Sequence, residues 1–135
     1  MASNPHLSNG SKSAATDAVT TRLNGGTVEI RSGTQPASPD AAPSDGALLA
    51  TFNLPNPAFA AAVNGVAAIG VIAAVVAAAT GVASWFRFYR SAANGSTAEL
   101  DGTVGTANAD MIIDSVNIQQ NAHVQINSFT YTQQG

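Results

Sequence analysis

No cysteine occurs in this chain, which excludes disulfide scaffolds, thiolate metal sites and thiol nucleophiles together and leaves the redox compartment open. Charge is nearly as scarce. Five Lys and Arg and eight Asp and Glu make up 10% of 135 residues, against about a quarter in an ordinary soluble domain. The cations Lys12, Arg22, Arg31, Arg87 and Arg90 are scattered and the net charge is -3, so a phosphate backbone meets no basic track and no nucleic-acid partner is expected. The opening residues, Met1 to His6, carry no cationic stretch leading into an apolar one, so no secretory signal is expected. No leucine lies between Leu54 and Leu100, whereas valine and isoleucine recur there. Branching at the β-carbon suits strands better than helices.

What is present points to one folded unit. The 45% hydrophobic fraction includes 27 alanines, so about a quarter of the chain is large enough to fill a core, and layers must approach closely. Residues 1–12 are polar, aperiodic and hold the turn formers Asn4-Pro5 and Asn9-Gly10, which predicts a flexible extended arm. Residues 13–135 are then a single β-sandwich domain that opens with a short helix over 13–23. In that helix Ala15, Val19 and Leu23 recur every four residues, Ser13 caps the start, and Asn24-Gly25-Gly26 ends it.

After Gly26 the period changes to two. Val28 and Ile30 alternate with Glu29 and Arg31 over residues 27–32, and Leu48, Ala50, Phe52 and Leu54 share one face over 48–54. Between them Pro36, Pro39, Pro43 and Asp45-Gly46 mark a surface loop at 33–46. Asn64-Gly65, Asn94-Gly95 and Asp101-Gly102 carry the chemistry of tight hairpin turns. Short inward faces follow at Ala98 and Leu100, Met111 and Ile113, and Val116 and Ile118. In the last strand Val124 and Ile126 are in phase but Phe129 and Tyr131 are shifted by one, which predicts a bulge near Asn127-Ser128. The pattern is all-β, an antiparallel sandwich of about eight strands after one small helix.

The uncharged run 65–86 admits a second reading. As a helix its 22 residues would span about 33 Å, enough to cross a bilayer, and the following Arg87-Phe88-Tyr89-Arg90 resembles an interfacial belt. Against this, only eight of these residues are strongly apolar, and Thr80-Gly81 divides the run into two pieces of strand length. Those pieces are expected to be buried between sheets, and membrane association is not expected.

Catalytic chemistry finds no footing. His6 and His123 have no second ligand at metal spacing, and His123 reads as a half-exposed strand residue. Glu99, Asp101, Asp110 and Asp114 are spread over sixteen residues, and Asp101, before a glycine, reads as a turn residue rather than half of a catalytic pair. No nucleophile elbow occurs, and Asn9-Gly10-Ser11 and Asn94-Gly95-Ser96, which match a glycosylation acceptor, read as turns. No cofactor, no metal and no enzymatic activity are expected. Trp85, Arg87 and Tyr89 project from one side of a strand and either form a contact surface or lie buried between layers with Arg87 at an edge. With His6 and Leu7 of the arm they are the candidate interface residues.

The succession LLATFNLPNPAF (48–59), ATGVASWFRFYR (79–90), ELDGTVGTANADMIID (99–114) and VQINSFTYT (124–132) resembles a group of small virion proteins of tailed bacteriophages, over residues 20 to 132. The resemblance implies a jelly-roll-like sandwich that decorates or cements the capsid, although similar domains occur in tail parts. It implies the major capsid protein as partner, self-association on the lattice, and location on the virion surface. It carries over no functional residue, and residues 66–78 depart from it by their excess of alanine and valine. A tail or fibre component, and a small membrane-spanning lysis-type protein, are the alternatives.

Overall fold

The computed structural model describes residues 5–132. The chain is mostly strand with one short helix, so the all-β expectation holds. The helix α1 spans Asn9–Thr21. Strands β1 (Thr27–Arg31), β2 (Leu48–Asn53), β3 (Val66–Ala68), β4 (Val75–Val76), β5 (Gly81–Val82) and β6 (Trp85–Tyr89) follow. The remainder are β7 (Ala98–Gly105), β8 (Met111–Ile113), β9 (Asn117–Ile118), β10 (His123–Val124) and β11 (Ile126–Thr132). Seven strands form one sheet in the order β2-β1-β6-β7-β8-β11-β3, and β10-β4 and β5-β9 form two small pairs.

One pairing departs from the expected antiparallel order: β7 and β8 are parallel. Parallel neighbours ordinarily need a long crossover. Here the ladder is only two positions long, Val104 beside Met111 and Gly105 beside Ile112, so the chain returns through residues 106–110 alone, with Asn108 at a φ of 54°.

The helix starts four residues before its expected start, so residues 9–12 belong to it and not to an arm. Residues 1–4 lie outside the described residues. Ser8, not Ser13, is the cap, its hydroxyl accepting from the Ser11 amide at 3.1 Å. Ser13 is engaged elsewhere, accepting from the Gly65 amide at 3.1 Å. The docked face is also rotated: Thr16, Thr20 and Leu23 are buried, and Ala15 and Val19 only partly so. Polar side chains sew this helix down. Thr16 Oγ1 donates to the Gly65 carbonyl at 2.6 Å, Asp17 Oδ1 accepts from the Ala62 amide at 2.9 Å, and Asn24 Oδ1 accepts from the Ala58 amide at 2.9 Å.

The three glycine dipeptides behave differently. Asn64 and Gly65, at φ 52° and 82°, form a two-residue turn closed by reciprocal bonds between Val63 and Val66. Asn94-Gly95 ends a 3-10 turn over Ala92–Asn94, with Gly95 left-handed at φ 83°. Asp101-Gly102 is no turn, because both lie within β7, opposite Arg87 and Phe86. Gly102 is needed there for space: a Cβ would stand 2.5 Å from two carbons of the Phe86 ring. The acceptor triplets at Asn9 and Asn94 fall in the helix and in the 3-10 turn respectively.

Two bulges set the core. The β1–β2 register skips Leu49 between Ile30 and Arg31, which brings Leu49 inside along with Ala50 and Phe52. The β11–β8 register shifts between Ile126 and Ser128, where the phase change predicts it, so that Ile126 and Phe129 are both buried. Phe59, Phe86, Phe88 and Phe129 meet at the centre with ring centroids 5.1 to 6.0 Å apart. Such pairs add about 0.5–1.5 kcal/mol each beyond the area they bury.

The apolar run forms no helix, and no helix among the described residues is long and apolar enough to cross a membrane. Its expected enclosure between sheets is corrected: one side of it is uncovered. Ala67, Ile72 and Ala77 are buried, but Val71 is 97% exposed, Val76 52% and Val82 57%.

Candidate functional site

The candidate interface residues of β6 do not form a free surface. All of β6 but Tyr89 is buried on both faces, and the loop between β1 and β2 covers the side that carries Trp85 and Arg87. Trp85 Nε1 donates to the Ser32 carbonyl at 3.2 Å, and Arg87 Nη2 to the Ser38 carbonyl at 3.2 Å. Arg87 does not reach out at an edge. It lies 3% exposed, forms a two-pronged ion pair with Asp101 at 2.6 and 2.9 Å, and stacks over Trp85 at 5.2 Å. Asp101 therefore serves no turn; it neutralises Arg87, the buried cation among the described residues. The bond to Asp101 raises the Arg87 guanidinium above its ordinary value against the opposing pull of burial. Tyr89 is half-buried; burial pushes its phenol up, and the Glu29 carboxylate adds to the rise. His6 and Leu7 are exposed and precede the helix.

A different surface stands out. Residues 46–86 and 115–132 contain no Asp, Glu, Lys or Arg, and the topology joins these two stretches to each other: β3 pairs with β11, β4 with β10, and β5 with β9. Every strand pair there is free of formal charge. Its outward side chains are alanines, Thr130, Ser128, Asn117 and the exposed valines 63, 66, 71, 76 and 82. His123 is exposed beside Val76, as its strand phase predicts. The ion pairs gather elsewhere, Arg22 and Arg90 around Glu99 and Arg31 against Glu29. Sequence alone shows the charge gap but not that two distant gaps pair in space.

The second feature is a cleft of about 470 Å³ where the large sheet divides. Strand β8 begins only at Met111, and on the side before that residue β7 and β11 have no strand between them. Phe86 and Phe129 form the floor, Asp101 and Asp110 stand on one side, and Thr130 and Tyr131 on the other. Asp110 Oδ2 accepts from the Thr103 amide at 2.9 Å and its hydroxyl at 3.1 Å, and the Asp110 amide donates back to Thr103 Oγ1 at 3.0 Å. No group of three His, Cys, Asp or Glu that could hold a metal occurs among the described residues. No protein-family model, no curated protein and no solved structure matches this chain.

Proposed function

We propose that this chain is a structural protein of a phage virion, a decoration or cement protein that lies on the capsid and bridges neighbouring major capsid protein subunits. The observation that carries the proposal is the charge-free flank of paired strands. A broad contact can cover this flank without burying an unpaired ion, the costly element of any wide interface. On a lattice each copy meets several neighbours at high effective concentration, so single contacts can be modest. The non-enzymatic character, the lack of a cofactor and the virion location belong to the same proposal, with the capsid protein and further copies of the chain as partners. A tail or fibre part is the second reading. That reading would place a receptor contact on the Trp85, Arg87 and Tyr89 face, of which Trp85 and Arg87 are covered by the loop, so the capsid role is preferred.

The test is binding to purified particles. Val71→Lys and Val63→Lys place charge at residues 97% and 69% exposed, so the fold should survive while particle binding drops by an order of magnitude or more. Mass spectrometry of virions should count hundreds of copies. A dozen copies points to the tail, and none overturns the proposal.

A further inference from the structure

We propose that the slot between β7 and β11 is a binding site for an extended peptide that carries a basic side chain and completes the sheet where β8 has yet to begin. Three observations lead there.

The first is the direction of the backbone edges. The Val104 amide donates to the Ser84 carbonyl, so in the antiparallel β6–β7 ladder residues 100, 102 and 104 bond to β6 and the amide and carbonyl of Asp101 point the other way, into the slot. The Thr103 amide points that way too and takes Asp110 Oδ2 in place of a strand. Across the slot, the Phe129 carbonyl accepts from the Ile69 amide on the β3 side, so by the same alternation Thr130 presents its backbone groups to the slot. Two strand edges thus face each other with one strand position between them.

The second is size. A residue in a sheet occupies about 3.4 by 4.8 by 10 Å, roughly 160 Å³, so a cleft of about 470 Å³ accommodates some three residues of extended chain. That is the length of β11 past Phe129, the partner of Met111, from Thr130 to Thr132.

The third is charge. Asp101 is neutralised by Arg87. Asp110 forms no ion pair among the described residues, and its two bonds, both from Thr103, leave Oδ1 available. The slot therefore carries one uncompensated negative charge above an apolar floor, which selects a strand with a lysine or arginine pointing to Asp110 and apolar neighbours pointing to Phe86 and Phe129.

Amide NMR spectra of the full chain, titrated with the capped peptide Thr-Val-Lys-Val-Thr to about 5 mM, test this. The expected result is saturable shifts at the Asp101 and Thr130 amides. Affinity should fall about fivefold for the Thr-Val-Glu-Val-Thr peptide, and by a similar factor in Asp110→Asn, which keeps an acceptor for Thr103. Equal affinity for the two peptides overturns the ligand chemistry, on the wild-type protein alone and regardless of how the variant folds. Shifts confined to the open edge of β2, or none at the highest concentration, overturn the site. Because particle binding is not measured, the outcome is independent of the virion role.

Discussion

Gly102→Ala separates two physical accounts of a glycine by sign. Gly102 has no positive φ, so alanine can adopt its backbone angles, and replacing a strand glycine under that condition ordinarily stabilises by about 0.4–1 kcal/mol through the unfolded chain. The geometry predicts the reverse. The new methyl would lie 2.5 Å from Cε2 and Cζ of Phe86 and 2.9 Å from Asp110 Oδ2, so the ring would have to retreat by about 1 Å to reach ordinary contact. Phe88 and Phe129 pack against the ring at centroid distances of 5.3 and 5.1 Å and resist that retreat. Overpacking of this kind costs about 1–3 kcal/mol, which in a chain of this size lowers the melting temperature by roughly 5–15 °C. Thermal unfolding of Gly102→Ala, Phe86→Leu and the double variant closes a cycle. The clash predicts that the double variant is more stable than the sum of the single losses by at least about 1 kcal/mol. A Gly102→Ala protein as stable as the wild type, or strictly additive losses, would refute the account.

Two further outcomes follow from the covered side of β6. Asp101→Asn leaves the Arg87 guanidinium buried without its counter-charge and should cost about 3–5 kcal/mol in urea unfolding, whereas replacing both partners by Met and Leu should cost clearly less. Tyr89 is raised above its ordinary 10.0 in the fold. A phenol raised on folding contributes stability that is complete below its unfolded value and is lost as pH rises through the folded one. Stability should therefore fall more steeply above pH 10 in the wild type than in Tyr89→Phe, followed by denaturant midpoints across that range; equal slopes would count against the shift.

The parts of the fold written in period-two spacing were legible, and the parts written in polar side chains were not. β1, β2, the Asn64-Gly65 turn and the bulge at residue 127 follow from alternation and turn chemistry alone. The helix was placed late because its docking face is made by Ser13, Thr16, Asp17 and Thr20, which bond to residues 62 and 65, and a search for apolar spacing passes over a face held by hydroxyls. Asp101-Gly102 was misread because a dipeptide has the same letters whether its glycine serves a turn or makes room for a ring across the sheet. Which it is depends on Phe86, sixteen residues away in sequence. Trp85 and Arg87, read either as a contact surface or as buried between layers, are buried, and a related reason hides this from the sequence. Alternation places the two on one side, but that a proline-rich loop folds over that side is settled by two carbonyls, those of Ser32 and Ser38.

The expectation that the uncharged run is enclosed rests on reading its two strand-length pieces as continuously apolar because both faces are covered. Alanine weakens that premise. Residues 68, 73, 74 and 78 are exposed alanines, each offering a single methyl, and the large exposed side chains among them are isolated valines rather than leucine or aromatic groups. The strand pairs β3–β11, β4–β10 and β5–β9 hold the backbone of this flank in short ladders, which do not depend on a second layer above them. The result is a surface that is neutral without being strongly sticky. It stands opposite in character to the side where Glu29, Glu99 and Asp101 hold the arginines. A partner that is itself charged has nothing to pair with on the neutral flank, so contacts there favour neutral surfaces, and salt should leave them unchanged. Binding to particles that weakens steeply between low and physiological ionic strength would place the contact on the ionic side instead.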